Sequence, residues 1–231
     1  MIALSRVIVP GNRCNACLHL PCINSKNRTM KNILNITSSI SGENSYSIKL
    51  ANAIIERIQS VHPGSSITTY DLAKNPLPHL DATHFNAFQV PADQRTAEQQ
   101  GAAHYSDTAV ADLMAADFII IGVPLYNFNI PSSLKAWIDH IVRAGITFSY
   151  GEQGPVGLVT GKKVFLAVAS GGVYSEGPMS AYDSSVPFVK NLLGFLGMTD
   201  VTTFRAEGVK MPQLTELALP KAVDAVNEYA F

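Results

Sequence analysis

A turn rich in hydroxyl groups, from Ser39 to Ser47, is one of two segments whose residue types suit ligand chemistry. It follows a short apolar run and precedes a long amphipathic one, so it should lead from a strand into a helix. The free N–H groups and positive dipole end at such a helix start favour a phosphate. There is no Gly-x-Gly-x-x-Gly and no Gly-Lys-Ser/Thr, which disfavours a dinucleotide or nucleoside triphosphate and favours a monophosphate. A simple cluster of N-cap residues is the alternative.

The second segment is Pro124 to Pro131, which reads Pro-Leu-Tyr-Asn-Phe-Asn-Ile-Pro. Ring faces for stacking and amides for a polar edge suit a flat heteroaromatic ligand. Gly171 and Gly172 follow a later apolar run and would let the backbone approach that ligand closely. Each of these two segments could instead be an ordinary connection, so their weight comes from where the fold brings them.

Strand and helix patterns alternate from Met30 to the end of the chain, and 146–162 is predicted to form an excursion such as a hairpin. Five strands alternating with five helices predict one α/β domain, a doubly wound parallel sheet with helices on both faces. The predicted strands are 31–37, 67–72, 118–123, 164–169 and 201–206, and the predicted helices are 45–61, 96–115, 132–143, 186–196 and 214–229.

For a flavodoxin-like strand order of 2-1-3-4-5, ligands bind at the switch point between the first and third strands, beyond their carboxyl ends. The Ser39–Ser47 turn follows the first strand, and the aromatic segment follows the third. The pattern therefore predicts that both lie at one ligand site.

The first 29 residues carry all three cysteines and show no sustained periodicity. We expect residues 1–29 to be a disordered extension or a misassigned start, and 30–231 to be the domain. A zinc site from Cys14, Cys17, His19 and Cys22 is the less favoured alternative, because structural zinc sites usually use two separated ligand pairs. The absence of cysteine after residue 22 fits a reducing cytoplasm.

Composition excludes several classes of protein. The 231 residues are 47% hydrophobic and 15% charged with a net charge of −1, which is typical of a compact soluble protein rather than a disordered one. A nucleic-acid footprint needs a basic face, which a net charge of −1 does not suggest. A membrane span needs about 18 apolar residues in a row, and the sequence contains no such run. We therefore expect neither nucleic acid nor membrane among the partners. No metal site and no nucleophile–His–acid arrangement is expected, and His140 is read as an ordinary helical residue.

At these loops the chain resembles the FMN-dependent NADH:quinone oxidoreductase and azoreductase family. The resemblance runs from Met30 to about residue 209. Its marks are the Ser-Ser-Ile…Ser-x-Ser turn, the Pro-x-Tyr-Asn-Phe-Asn-Ile loop, Leu134-Lys135 leading to Asp139, 143–148, 157–163 and 193–197.

The resemblance implies a bound FMN and assigns residues to it. Its phosphate and ribityl group would meet Ser39, Ser45, Tyr46 and Ser47; the ring edge would meet Leu125, Tyr126, Asn127 and Phe128; and the pyrimidine end would meet Ser170, Gly171 and Gly172. Several relatives have Ser-Arg-Gly-Gly where this chain has Ala169-Ser170-Gly171-Gly172. Backbone contacts there should survive the change, whereas a side-chain contact at Ala169 is lost.

The implied activity is a ping-pong transfer of two electrons from NADH or NADPH, through the flavin, to quinones and to aromatic azo compounds, which are cleaved to amines. Tyr126, Asn127 and Phe128 would position the flavin, with Asn127 the candidate partner of N5, and no side-chain acid or base is assigned. The family is homodimeric, with sites at the subunit interface. Phe128, Tyr150 and Phe195 are predicted to line a slot for a flat substrate there.

Alternatives stay open at this point. A flavodoxin-type electron carrier should be acidic, which a net charge of −1 does not favour. An FMN-free adaptor and an FAD-type reductase are the others. The physiological acceptor is open as well, and so is the choice of NADH or NADPH, for which Arg57, Lys74 or Arg95 could approach a 2′-phosphate.

Overall fold

The computed structural model describes residues 30–231. The predictions for residues 1–29 and their three cysteines therefore concern a part of the chain outside the described residues. The strands are β1 (Asn32–Thr37), β2 (Ser66–Asp71), β3 (Phe118–Pro124), β4 (Phe148–Gly151), β5 (Gly154–Gly157), β6 (Lys163–Ser170) and β7 (Asp200–Glu207). The helices are α1 (Tyr46–Val61), α2 (Ala82–Phe88), α3 (Ala97–Ala115), α4 (Ser132–Ile141), α5 (Ser185–Phe195) and α6 (Thr215–Glu228).

Five parallel strands form one sheet in the order β2-β1-β3-β6-β7. Since β4 and β5 pair only with each other, in an antiparallel hairpin, this is the predicted order 2-1-3-4-5 and the prediction is confirmed. The order reverses between β1 and β3, so the switch point lies between the loops that follow these two strands.

Successive side chains of a strand point to opposite faces of the sheet, so the central strands contribute residues to two separate apolar cores. Ile119 and Ile121 of β3 face α3, α4 and α5, whereas Ile120 faces α1 and α6. Every residue of β3 is buried because helices cover both faces of the sheet. None of the helices among residues 30–231 is long and apolar enough to cross a membrane.

The α2 helix is the one α-helix of residues 30–231 that the sequence pattern did not predict. It has only seven residues, too few to show a clear period, and it is capped by Asp81, whose carboxylate accepts a hydrogen bond from the His84 N–H at 3.0 Å. The α4 helix ends at Ile141 rather than at the predicted Arg143. Thr147 causes this end, because its Oγ1 accepts from the Arg143 N–H at 2.8 Å and donates to the Ile141 carbonyl at 2.7 Å.

The predicted excursion at 146–162 is confirmed as the β4–β5 hairpin. It contacts the end of α5 through the rings of Phe148 and Phe195 and where the backbone of Gly157 lies against that of Gly197. A Cβ added at Gly157 would come within 2.1 Å of the Gly197 nitrogen, so this approach requires glycine.

Candidate functional site

A cavity of about 460 Å³ lies at the carboxyl ends of β1, β3, β6 and β7. Each of these strands contributes the loop that follows it, as the switch-point argument predicts. The cavity is lined by Ser39, Ser41, Asn44, Ser45 and Tyr46 after β1, Pro124, Leu125 and Tyr126 at the end of β3, Ala169, Ser170, Gly171 and Tyr174 at the end of β6, and Val209 and Lys210 after β7.

The loop from Ser38 to Ser47, here called the anchor loop, supplies the hydroxyl groups. Ser45 is the N-cap of α1: its Oγ accepts from the Ile48 N–H at 3.3 Å and lies 3.1 Å from the Ser47 Oγ. Ser39, Ser45 and Ser47 are 4%, 4% and 1% exposed, so their hydroxyls are held inside the loop. The first turn of α1 contains no acidic residue, which leaves the positive end of its dipole free for an anion.

The turn from Tyr126 to Asn129, here called the ring turn, has an unusual backbone. The Tyr126 N–H donates to the Asn129 carbonyl at 2.9 Å, and the Asn129 N–H donates back at 3.0 Å. Asn127 and Phe128 between them both have positive φ, 50° and 67°. This is the pattern of a type I′ turn, whose second central position favours glycine. Asparagine tolerates the left-handed region, but a phenylalanine there is strained.

The third wall of the cavity is the end of β6 with the start of the loop after it. The N–H groups of Gly208, Val209 and Lys210 donate to the carbonyls of Gly172, Ser170 and Gly171 at 3.0 to 3.2 Å. The Ser170 Oγ donates to the Gly172 carbonyl at 2.8 Å. These bonds extend the pairing of β6 with β7 and fix the glycine pair.

The residues predicted to hold a cofactor converge, though not all of them line the cavity. Ser39, Ser45, Tyr46, Leu125, Tyr126, Ser170 and Gly171 do. Ser47 contributes through its contact with Ser45, and Gly172 lies behind Gly171 against the ring of Tyr174. Asn127 instead lines a second cavity of about 610 Å³, which Tyr126 separates from the first. Phe128 is 44% exposed at the tip of the ring turn.

Seven lining residues were not among those predicted to hold a cofactor: Ser41, Asn44, Pro124, Ala169, Tyr174, Val209 and Lys210. Val209 and Lys210 could have been found, because they follow β7 and the carboxyl ends of parallel strands share one edge of the sheet. Tyr174 has no comparable signal, since it reaches the cavity from within an irregular loop.

The three residues predicted to line a substrate slot belong to two separate aromatic clusters in this chain. Tyr150 and Phe195 both contact Phe148, at ring-centroid distances of 5.5 and 4.7 Å. Phe128 contacts Tyr182 at 5.2 Å and Tyr174 at 6.2 Å. A slot containing both clusters would therefore need something beyond the contacts within one chain.

The histidine and arginine side chains that could have served the site are engaged elsewhere. His140 is fully buried, its Nε2 is 2.9 Å from the Pro78 carbonyl, and burial lowers its pKa. Arg95 is 5% exposed and pairs with Asp107, which also binds Arg143 at 3.1 Å. Arg95 is thus a structural ion pair and not a free cation for a 2′-phosphate.

The donor set suits a phosphorylated flat ring better than a metal. No group of three or more His, Cys, Asp and Glu side chains within residues 30–231 could hold a metal ion. Buried hydroxyls at the N-terminus of a 16-residue helix suit one phosphate. A glycine pair and a rigid turn on the other side leave room for an aromatic ring at their backbone edges.

Known proteins resemble the chain over this whole region. A family model described as the flavodoxin-like fold matches residues 31–230. An FMN-dependent NADH:quinone oxidoreductase of Herminiimonas arsenicoxydans is 48% identical over 200 residues, which are 86% of this chain and 98% of that protein.

Solved structures agree. An azoreductase of Bacillus anthracis strain Sterne superimposes with a TM-score of 0.77 at 31% identity, covering 87% of this chain and 100% of that one. An FMN-dependent NADH-azoreductase of the Bacillus anthracis Ames Ancestor strain, solved in complex with FMN, has a TM-score of 0.76 at 29% identity, covering 86% of this chain and 97% of that one.

Proposed function

The chain belongs to the flavodoxin-like family, and on that premise we propose that it is an FMN-dependent oxidoreductase that transfers electrons from NADH to quinones and aromatic azo compounds. The observation that carries the proposal is the convergence of the anchor loop, the ring turn and the glycine pair on one cavity. The names of the relatives, FMN-dependent NADH:quinone oxidoreductase and azoreductase, support the same activity. They favour it over an electron carrier, an FMN-free adaptor or an FAD enzyme.

The anchor loop holds the phosphate in this proposal. The hydroxyls of Ser39, Ser45 and Ser47 and the first N–H groups of α1 donate to its oxygens, while the α1 dipole offsets its charge. Tyr46, at the first position of α1, lines the adjoining part of the cavity. No lysine or arginine belongs to this loop, so its own contribution to phosphate binding comes from hydroxyls and amides.

The ring turn and the glycine pair orient the flat ring between them. Leu125 and Tyr126 lie along one edge of the cavity, and Ser170 and Gly171 lie along the other. The strained backbone of Asn127 and Phe128 holds its N–H groups in a fixed direction, so that they need no reorganisation during the reaction. Asn127 lines the neighbouring cavity, on the other side of Tyr126. We therefore assign N5 recognition to its backbone, next to Tyr126, and recognition of the pyrimidine end to the N–H groups of Gly171 and Gly172.

When bound, FMN supplies reversible two-electron chemistry, which lets one site oxidise NADH and then reduce an acceptor. In this proposal the residues around the cavity bind the cofactor, orient it and exclude water from it. No side-chain acid or base is assigned among them. Phe128, with Tyr174 and Tyr182 packed against it, offers ring faces on which a flat acceptor can stack.

Purification of the full chain tests the proposal. We expect a yellow protein whose extracted flavin has the mass of FMN, and NADH oxidation that accelerates when menadione or an azo dye is added. A carrier would show no steady-state oxidation without a separate reductase. A chain that binds no flavin, or that releases FAD, would overturn the proposal.

We also propose that the chain acts as a homodimer, with the β4–β5 hairpin in its interface. Tyr150 and Val156 of the hairpin are 77% and 50% exposed, and Leu158 beside it is 37% exposed. Covering these side chains by a second copy would bring Tyr150 and Phe195 of one chain toward the cavity of the other. Sedimentation should give a dimer for the wild type and a monomer for Val156→Glu, and a monomeric wild type would contradict the assignment.

Because residues 30–231 contain no cysteine, we propose a reducing compartment such as the cytoplasm.

A further inference from the structure

The loop from residue 171 to residue 184, here called the 171–184 loop, is tied to β7 by charged side chains at two places. Glu207, the last residue of β7, is the first tie. Its Oε1 accepts from the N–H groups of Tyr174 and Ser175, both at 2.9 Å, and its Oε2 accepts from the Ser175 hydroxyl. The segment that carries Tyr174 into the cavity is therefore held by one carboxylate.

Asp183 is the second tie, at the far end of the same loop. One of its oxygens accepts from the N–H groups of Ser185 and Val186, both at 3.1 Å, and so caps the start of α5. The other accepts from the Arg205 guanidinium at 2.7 Å. Burial acts to raise the pKa of Asp183, but the hydrogen bonds from Arg205 and from the start of α5 outweigh it and hold the pKa below its ordinary value.

Arg205 joins the two ties. Its guanidinium is 2.7 Å from the carboxylate of Asp183 and 3.2 Å from that of Glu207. The three side chains are 21%, 7% and 10% exposed, so water screens them poorly. Arg205 and Glu207 are alternate residues of one strand and point to the same face. One cation thus stands between two carboxylates, which would repel each other without it.

The position of the 171–184 loop decides how the ring turn is supported. The Ser184 N–H, next to Asp183, donates to the carbonyl of Phe128 at 3.2 Å. The ring of Tyr182 packs on Phe128 at 5.2 Å, and that of Tyr174 approaches it at 6.2 Å. The strained residue of the ring turn is therefore held by contacts with the same loop that Arg205 holds to the sheet.

We propose that Arg205 is a positioning residue of the flavin site, which acts through Asp183 and Glu207 to set Tyr174 and Tyr182 against Phe128. It touches neither cofactor nor substrate in this role, which rests on the function proposed above. The acceptor-binding wall formed by Phe128, Tyr174 and Tyr182 depends on it, whereas the anchor loop, on the other side of the cavity, does not.

Steady-state kinetics of the FMN-loaded full-length enzyme test this role. Arg205→Met should raise the KM for menadione by about tenfold to a hundredfold, because a small misplacement of a site can cost that much. Its FMN content should stay near that of the wild type. Arg205→Lys, which keeps the charge, should recover part of the loss. Lys190→Met, a cation-to-methionine change at an exposed position of α5, is the matched control and should leave the KM for menadione and the FMN content unchanged.

The double variant Arg205→Met/Asp183→Asn separates positioning from a general loss of stability. Removing one of the two facing carboxylates relieves their repulsion, so the double variant should bind menadione more tightly than Arg205→Met alone. An additive or larger loss, or a KM for menadione that does not move in Arg205→Met, would overturn the proposal.

Hydrogen exchange of the full-length protein without flavin distinguishes this failure from a failure of the proposed function. Arg205→Met should speed the exchange of the Tyr174, Ser175 and Ser184 amides and leave the amides of α1 unchanged. If Arg205→Met exchanges faster but the wild type never reduces quinones, the proposed function is wrong while the role of Arg205 in holding the 171–184 loop stands. If the exchange is unchanged and the wild type is an active enzyme, only the role of Arg205 is wrong.

Discussion

The anchor loop and the ring turn face the same cavity but are built in opposite ways. The anchor loop uses side chains: the buried Ser45 and Ser47 hydroxyls bond to each other, Ser45 accepts from an amide of α1, and the Ser39 hydroxyl bonds to that of Tyr126. The only residue of positive φ in this loop is Gly42. The ring turn uses the backbone: two hydrogen bonds between Tyr126 and Asn129 close it, and Asn127 and Phe128 have left-handed conformations, with Phe128 44% exposed.

Under the proposed function, this difference corresponds to two separate tasks of the site. A phosphate needs charge-assisted hydrogen bonds, which relaxed side chains at a helix start provide. A reacting ring needs donors in a fixed direction, and a strained turn supplies these only if its surroundings keep it in place. The anchor loop should therefore govern affinity for FMN, and the ring turn should govern chemistry at little cost in affinity.

The largest expected effect is on the anchor loop. Ser45→Ala/Ser47→Ala removes two buried hydroxyls, each worth about 1.5–3 kcal/mol if it donates to a charged phosphate. The Kd for FMN should rise by a factor on the order of a hundred to a thousand or more, since about 1.4 kcal/mol corresponds to tenfold. Loss of the N-cap should also lower the free energy of unfolding of the flavin-free protein by about 1 kcal/mol.

Titration of the flavin-free protein with FMN, followed by quenching of flavin fluorescence, measures this Kd. Ser60→Ala is the control, because Ser60 lies on the same helix at the end remote from the cavity. If the double variant binds FMN as tightly as Ser60→Ala does, the anchor loop does not bind the phosphate. The proposed difference in role between the two regions would then be wrong.

The two regions should also differ in their response to acid. The anchor loop is held by hydroxyls, whereas the support of the ring turn includes Asp183, whose folded pKa lies below the unfolded value of about 3.9. Its contribution to stability is full above that unfolded value and disappears as the pH falls through the folded pKa. The free energy of unfolding of the wild type should exceed that of Asp183→Asn by about 1–3 kcal/mol at neutral pH. This gap should begin to shrink below about pH 4 and should close once the pH falls below the folded pKa.

Urea unfolding of both flavin-free proteins between acidic and neutral pH measures the gap. Ser184→Ala, a neighbouring exposed position, should give a difference from the wild type that does not depend on pH. A gap between wild type and Asp183→Asn that persists in strong acid would mean that Asp183 acts without its charge.

Because the ring turn is strained, we expect a glycine variant at Phe128 to be more stable than an alanine variant, the reverse of the usual order of stability. Glycine normally destabilises a regular element by about 0.5–1 kcal/mol relative to alanine, but a left-handed residue with a Cβ costs about 1–2 kcal/mol. Phe128→Gly should therefore be more stable than Phe128→Ala by about 0.5–1 kcal/mol in urea unfolding. Both should reduce kcat/KM for menadione by about two- to tenfold, since both lose the ring contacts of Phe128. Equal stability of the two variants would show that the turn is relaxed in solution.

The sequence predicted the sheet and the position of both regions, because their signals are local. The α1 helix was expected from Ser45 to Val61 and runs from Tyr46 to Val61, and the strand order followed from the alternation of the elements. The hydroxyls of the anchor loop were expected beside the ligand site for the same reason, since their type and spacing indicate a helix start, and Ser39 and Ser45 line the cavity.

The features that sequence reasoning missed depend on contacts between distant residues. Phe128 gives no local sign of a positive φ, which is imposed by the hydrogen bonds that close the turn and by Ser184. Arg205 and Asp183 are 22 positions apart, and each is an ordinary charged residue until β7 and the start of α5 meet. Backbone strain and buried ion pairs are tertiary effects, so the pattern of residue types does not contain them.

The smallest expected effect tests whether the two regions are independent. The Tyr126 hydroxyl, at the start of the ring turn, lies 3.1 Å from the Ser39 Oγ and 3.3 Å from the Ile40 N–H. Tyr126→Phe removes both contacts and should weaken FMN binding by less than about tenfold, because water replaces part of what is lost. If the hydroxyl sets the direction of Ser39, the double variant Tyr126→Phe/Ser39→Ala should bind FMN more tightly than the product of the single effects predicts, with a coupling of about 0.5–1.5 kcal/mol. If the effects of the two substitutions on the free energy of FMN binding are strictly additive in fluorescence titrations, the anchor loop and the ring turn bind FMN independently of each other.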